Sequence, residues 1–288
     1  MMMKLRAFSI LLVFVVVTVI LLPLQWAAVK LRLPARRSIP YRYHRFVCRL
    51  FGVRISVLGA PLRGGGLMTA NHTGWFDIPI LSAVAPVSFV AKMAVGQWPF
   101  FGTLARLQRT IFIRRERAKA LEDRDTIRKR LLEGDALVLF PEGTSSDGNR
   151  VLPFRSALLS AAELDLGEDA ADHQRHASVQ PVSIALVGLH GMPMGRENRP
   201  FYAWYGDMEL VPHLWEALKS GPMDVIVEFH KPTSIDETGG RKELAAWCEA
   251  AVRAGLTRAL SGTRVEPRPA QDEALIKALN EAETEEAA

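Results

Sequence analysis

The sequence predicts an α/β protein: a mostly parallel twisted sheet flanked by helices, with an N-terminal membrane-anchoring helix. Three observations carry this expectation. Short apolar runs, many of them β-branched, alternate with longer stretches of helical periodicity. The two most polar segments, Asn71–Asp77 and Pro141–Arg150, each directly follow an apolar run, as loops do at the carboxyl edge of a parallel sheet. Finally, Ala7 to Ala28 holds no charged side chain over 22 residues.

That uncharged run is long enough to cross a ~30 Å hydrocarbon layer at about 1.5 Å per residue. It exceeds the apolar core of a cleaved signal peptide and lacks a small-x-small exit, so it reads as a retained anchor. Lys30, Arg32, Arg36 and Arg37 follow it closely. This positive flank places the downstream domain on the cytoplasmic side. Pro23 leaves two arrangements open, a single-pass span or a monotopic bend within one leaflet. Tyr41–Val53 interleaves arginines with aromatic and aliphatic residues, which suits an interfacial helix or a core-facing one. The expected division is an anchor and basic helix over 1–54, an α/β domain over 55–260, and a linker with an acidic tail over 261–288.

Strand-like runs are expected at Ile55–Leu58, Leu67–Ala70, Val87–Ala91, Ile111–Ile113, Ala136–Phe140, Val179–Leu186, Phe201–Trp204 and Val225–Phe229. Helical patterns fall at Ile78–Val84, Trp98–Leu107, Arg117–Leu132, Ser156–Leu164, His213–Lys219 and Arg241–Leu260. Gly167–Ala177 reads as an exposed loop.

The first 76 residues contain 11 of the 36 Lys and Arg residues and none of the 31 acids, so the remainder is net acidic. Basicity concentrated beside a greasy helix points to membrane lipids with anionic head groups and away from nucleic acid. Cys48 and Cys248 lack CxxC spacing or a Cys/His cluster, which indicates buried, reduced thiols. His173 and His176 stand in a loop without further ligands, so no metal site is expected.

The candidate reaction centre is Asn71-His72-Thr73-Gly74-Trp75-Phe76-Asp77. Proline belongs in the first turn of a helix, so Pro79 predicts a helix start near Asp77. His72 then lies in the preceding turn, where Gly74 lets the chain fold back and bring imidazole and carboxylate together. A carboxylate so placed fixes the histidine tautomer and leaves the other nitrogen as a base. The spacing alone is equally compatible with Asp77 as a helix cap and His72 as an ordinary loop residue. A second segment, Phe140-Pro141-Glu142-Gly143-Thr144-Ser145-Ser146, breaks a strand and turns at Gly143. Its amides and hydroxyls suit an anion or a developing oxyanion.

Taken in order, NHTGWFD at Asn71–Asp77, RTIFIRR at Arg109–Arg115, FPEGTSS at Phe140–Ser146 and VQPV at Val179–Val182 resemble the glycerolipid acyltransferase family. Its best-known members acylate 1-acylglycerol-3-phosphate. FPEGTSSDGNRVLPFRSAL and WYGDMELVPHL are more like the bacterial lyso-ornithine lipid acyltransferases. The resemblance implies acyl transfer from an acyl carrier protein or CoA thioester to the hydroxyl of a lyso-lipid acceptor, with no cofactor and no covalent enzyme intermediate. It also implies the bacterial inner (cytoplasmic) membrane as location. In it His72 is the base and Asp77 its orienting carboxylate, while Arg115, Glu142, Gly143, Thr144, Ser145 and Phe112 line the acceptor site. An acidic carrier protein would favour a basic face, for which Arg109, Arg114, Arg115 and Arg117 are candidates.

The chain departs from that pattern. Ser145 replaces the third motif's arginine and Arg109 stands where the second motif usually has glycine. Loss of an arginine–phosphate contact, worth roughly 1.5–3 kcal/mol, turns the expectation from a phosphate-bearing acceptor to lyso-ornithine lipid. Arg114 and Arg155 are the candidate replacements. A catalytically silent membrane-binding protein of the same fold is the rival of another class.

Overall fold

The computed structural model describes residues 2–114, 120–167 and 175–262. Two helices, α1 (Met2–Lys30) and α2 (Ala35–Phe51), precede strands β1 (Val53–Leu58) and β2 (Gly66–Ala70). Next come α3 (Asp77–Val84), β3 (Val87–Lys92), α4 (Phe101–Leu107), β4 (Ile111–Ile113), α5 (Ala120–Leu132) and β5 (Ala136–Leu139). The chain continues through β6 (Val179–Leu189), β7 (Met192–Pro193), α6 (Arg199–Tyr202), α7 (Leu210–Ser220), β8 (Met223–Phe229), α8 (Ile235–Thr238) and α9 (Arg241–Leu260).

The strands form one sheet in the order β1-β8-β6-β2-β5-β3-β4, with β7 at the side of β6. Every pairing is parallel except those of β6 with β8 and with β7. The sheet is therefore mostly parallel, with β1, β7 and β8 running opposite to the rest. Alternation along each strand assigns its side chains to two cores. Met68, Val138 and Ile184 point into the layer under α1, α2, α3 and α7. Leu67, Leu137, Leu139 and Ala185 point into the layer under α5 and α9. Helices thus cover both faces, as the β/α alternation requires.

Sequence and structure part company at particular places. Phe201–Trp204, rich in aromatics, is not a strand: Arg199–Tyr202 is helical and Trp204 lies beyond its end. Ser156–Glu163 forms a 3₁₀ helix rather than an α-helix. The stretch expected as a helix from Trp98 begins only at Phe101, after a 3₁₀ turn over Met93–Gln97. The basic helix starts at Ala35, earlier than Tyr41, and stops where Gly52 adopts a left-handed φ of 81°. Residues 263–288, most of the expected linker and tail, lie outside the described residues, as does His173.

Helix α1 is apolar on all sides and is the one helix among the described residues long and apolar enough to cross a membrane. A stripe at helical spacing (Ala7, Ile10, Thr18, Gln25 and Ala28) is buried against the rest of the molecule. Thr18 shares a 2.6 Å hydrogen bond with Tyr43 of α2, and Gln25 donates to the carbonyls of Arg36 and Leu107. On the opposite side Phe8, Leu12, Val16, Val19 and Leu24 are exposed. The helix therefore packs along its length on one face and presents hydrocarbon on the other.

A buried charge cluster ties α2 to the sheet. Asp135, just before β5 and 4% exposed at its side chain, accepts from Arg109 at 2.5 and 3.0 Å and from Arg37 of α2 at 3.0 Å, and pairs with Arg130 of α5. Burial opposes ionisation of this carboxyl, but Arg130 and Arg109 hold its pKa below the ordinary value. Arg109 sits at a left-handed φ of 61°, a region that favours glycine, the residue that the motif resemblance implies there. Removing one partner of a buried ion pair strands the others. Asp135→Asn is expected to lower stability by about 3–5 kcal/mol, measured by equilibrium unfolding in detergent.

Candidate active site

Strands β2 and β5 pair in parallel, so the two polar motifs leave the same edge of the sheet side by side. Asn71 opens the first. Its side chain donates to the carbonyl of Ile184 at 2.9 Å and accepts from the Ile184 amide at 2.8 Å, clamping the end of β2 to β6. Helix α3 begins at Asp77, two residues before Pro79, as the proline predicts.

Asp77 is fully buried. Its carboxylate accepts from His72 Nδ1 at 2.6 Å, the Thr73 amide at 2.6 Å, the Thr73 hydroxyl at 2.7 Å and the Gly74 amide at 3.0 Å. All four donors precede it in the chain, so Asp77 organises the turn behind it instead of capping the helix ahead. With the carboxylate ionised and accepting, Nδ1 carries the imidazole proton and Nε2 keeps its lone pair. The ring is stacked on Phe140 at 4.1 Å, and Phe140 on Phe89 at 6.3 Å. A base-ready nitrogen, 23% exposed as a side chain, results from these contacts.

The second motif folds against the first. The Ser146 amide donates to the His72 carbonyl at 2.8 Å. Gly143 has a left-handed φ of 71°, and its amide closes a turn on the Phe140 carbonyl at 3.0 Å. That amide is therefore occupied, whereas those of Thr144 and Ser145, next in the loop, make no such bond among the described residues. Glu142 is buried beside this turn. Neither carboxyl oxygen has a partner with hydrogen-bond geometry, although the Leu152 and His72 amides approach it. Burial raises its pKa from 4.5 to about 8, the amides pull it down, and the charge of Asp77 adds to the rise.

Ser145 is fully engaged. Its hydroxyl donates to the Trp204 carbonyl at 2.6 Å, while the Trp204 amide donates to the Thr73 carbonyl at 2.8 Å. A Cβ on Gly74 would stand 2.8 Å from Trp204, so only glycine admits this approach. The segment after α6 is thus a strap laid over both motifs and held edge-on to Trp98 at 5.8 Å. Further along the same segment, His213 accepts from the Trp75 indole at 3.0 Å.

Other sequence candidates fall differently. Phe112 packs its ring against Gly96 and under Arg106, away from the imidazole. Arg115 and Arg117 lie outside the described residues. Arg109 is committed to Asp135 and so leaves any docking face to other cations. Asn71, Thr73, Lys92 and Trp204 were not singled out from the sequence. Lys92, at the end of β3, donates to the Gly143 carbonyl at 3.2 Å. Its position directly after the apolar run Val87–Ala91 is the signal that could have found it. The thiols of Cys48 and Cys248 are buried and unpaired, pushed up to about 12 and about 11 by desolvation, and take no part.

Beside this turn lies an apolar cavity of about 250 Å³. Leu11 and Phe14 of α1, Val47 of α2, Trp75, Phe89 and Trp98 line it. Trp75 belongs to the His72 motif and Phe89 to the stack that supports the imidazole.

A family model described as Acyltransferase matches residues 54–185, which contain His72, Asp77, Lys92 and the loop from Phe140 to Ser146. The chain belongs to this acyltransferase family and is an enzyme of acyl transfer. Among its relatives, the lyso-ornithine lipid O-acyltransferase of Brucella abortus is 45% identical over 262 residues, covering 90% of this chain and 97% of the relative. That of Rhizobium meliloti is 41% identical over 263 residues, 89% of each. A 1-acyl-sn-glycerol-3-phosphate acyltransferase of Neisseria gonorrhoeae is 31% identical over 191 residues, 66% of this chain and 69% of the relative. The fold matches the crystal structure of the 1-acyl-sn-glycerophosphate acyltransferase of Thermotoga maritima, with a TM-score of 0.63 at 21% identity, over 92% of this chain and 100% of that one.

Glu142 makes the stability of this site pH-dependent. Between about 4.5 and about 8 the folded state holds a proton that the unfolded chain has released, so stability falls as pH rises through that window. Glu142→Gln abolishes this slope. Unfolding measured at a series of pH values should show the variant gaining on the wild type by ~2 kcal/mol or more from about pH 5 to about pH 8.

Proposed function

We propose that the protein acylates lyso-ornithine lipid, moving a fatty acyl group from an acyl carrier protein or CoA thioester to the hydroxyl of N-(3-hydroxyacyl)ornithine. His72 Nε2 takes the proton of that hydroxyl as its oxygen attacks the thioester carbonyl. Asp77 stabilises the imidazolium that forms. The tetrahedral oxyanion is met by the Thr144 and Ser145 amides, and its collapse expels the thiolate, which recovers the proton from His72. Acceptor and donor leave as ester and thiol, with no covalent enzyme intermediate.

The observation that carries the acceptor is Ser145. Its hydroxyl is spent on the Trp204 carbonyl, so the third motif contributes no cation to hold a phosphate. The two segments most like lyso-ornithine lipid acyltransferases are thus the two that touch each other over the site. Relatives at 45% and 41% identity that carry this activity support the reading. The relative named for 1-acylglycerol-3-phosphate makes lysophosphatidate the alternative acceptor. An intact, fully satisfied His72–Asp77 pair argues against a silent membrane-binding protein.

We further infer residence at the cytoplasmic face of a bacterial inner membrane, with α1 lying in one leaflet. A helix packed on its own domain from Ala7 to Ala28 cannot also stand across a bilayer while that domain remains in water. Its exposed apolar face meets acyl chains, and Lys30, stacked over Trp26 at 4.7 Å, marks the interface. The cavity lined by α1 then opens to substrates that never leave the membrane.

Two experiments test these readings. Purified protein in vesicles, supplied with labelled acyl thioester and each lyso-lipid in turn, is expected to acylate lyso-ornithine lipid and to lose roughly 10²-fold or more in rate as His72→Ala. Preference for lysophosphatidate would overturn the acceptor, and an active His72→Ala would overturn the mechanism. For topology, a protease-sensitive tag ahead of Met2 is expected to be cleaved only from the side that bears the catalytic domain. Cleavage from the opposite side establishes a single-pass span.

A further inference from the structure

Two cations meet at Gly143. Lys92 Nζ lies 3.2 Å from the Gly143 carbonyl oxygen. From the other side, Cδ and Nε of Arg155 stand 3.5 Å from the point a Cβ on Gly143 would occupy, space that the glycine leaves open. The Arg155 backbone is tied to the same turn through its amide, which donates to the Pro141 carbonyl at 2.9 Å. Both side chains are exposed, and neither has a carboxylate within ion-pair distance among the described residues. The nearest acid in the chain, Glu142, is buried with its pKa at about 8. Neither charge is neutralised by a carboxylate of the protein, so an anion bound at Gly143 gains from both. Phe140, three residues before Gly143, carries the stacked imidazole of His72, so the two cations reach the same loop that supports the candidate base.

We propose that Arg155, with Lys92 beside it, forms the subsite for the acceptor's α-carboxylate. The assignment rests on the lyso-ornithine reading and says how that head group is recognised. In lysophosphatidate the phosphate ester begins one carbon beyond the reacting carbinol. In lyso-ornithine lipid an amide unit separates the reacting hydroxyl from the carboxylate, so the anion must be met farther along the loop. The Ser145 hydroxyl is spent on Trp204, and the exposed cations of this loop stand at Gly143. A guanidinium presents two parallel donors that match a planar carboxylate. Arg155 is a specificity residue in this scheme and stands apart from the proton transfer at His72.

The test uses full-length protein in vesicles with two acceptors, N-(3-hydroxyacyl)ornithine and its carboxyl methyl ester, which keeps the hydroxyl and amide but loses the anion. Esterification is expected to raise the wild-type KM about tenfold or more, the loss of one charge-assisted contact, with kcat within about threefold. Arg155→Gln should raise KM for the free acid by a similar factor, yet add less than about threefold on the ester, because the same contact cannot be lost twice. Arg155→Lys should recover part of the difference, and unchanged unfolding of each variant in detergent excludes a folding defect. Penalties that multiply, or a fall in kcat on both acceptors with KM unmoved, would overturn the carboxylate subsite while leaving the acceptor in place. Turnover of lysophosphatidate alone by the wild type would instead remove the acceptor reading, and this assignment with it.

Discussion

The buried Asp77 carboxylate is the constraint from which the site follows. An ionised carboxylate with no water contact must find hydrogen-bond donors within the protein, and this one takes four from the three residues His72, Thr73 and Gly74. Those bonds draw the turn back over the start of α3 and set the imidazole at 2.6 Å with its second nitrogen outward. The turn in turn offers its own carbonyls: that of His72 to the Ser146 amide and that of Thr73 to the Trp204 amide. Three separate stretches of chain are thereby referred to one side chain. A neutral asparagine at 77 would keep some donors and lose the charge that stabilises an imidazolium, so geometry and chemistry are lost unequally.

The fold was legible where local chemistry and tertiary context agree. Pro79 placed the start of α3 at Asp77 because a missing amide is harmless only in the first turn. The apolar runs of β2, β5 and β6 are strands because they are buried on both faces and need no alternation. Phe201–Trp204 misled for the same reason in reverse: aromatic residues favour strands by packing on a sheet, and here Trp204 packs on the turn at Gly74 while Phe201 stays exposed. The site was legible only in part. His72, Asp77 and Glu142 sit at the motif positions, whereas Asn71, Lys92 and Trp204 act through backbone groups or through strand order. Neither the pairing of β3 with β5 nor the clamp of Asn71 on Ile184 leaves a periodic trace in the sequence.

Membrane and catalysis share one structural solution. Helix α1 has no polar face on which to divide water from core: one side is exposed and apolar, and the other is covered by the protein. Its buried polar groups show that the inner face is a protein interface: Thr18 and Gln25 are hydrogen-bonded to α2 and to the end of α4. The same helix walls the apolar cavity, and Asp135 holds α2 to the sheet through Arg37. The packing that leaves one face of α1 apolar and exposed also walls the cavity beside the His72 turn.

Ser145 shows how a single replacement can redirect an acceptor site without altering its chemistry. An arginine at that position would carry charge out over the loop. The serine hydroxyl, being short, spends itself on the Trp204 carbonyl and brings a strap down over Gly74, which only a glycine tolerates. The strap narrows the approach to His72 from one side while the cations, Lys92 and Arg155, stand at Gly143 on the same loop. The proton-transfer pair on α3 and its preceding turn is untouched by this exchange, because Asp77 takes its donors from its own segment. In the proposed mechanism the proton transfer is thus anchored in β2 and α3, and the choice of acceptor in the loop after β5 and in the strap, so one can change while the other is kept.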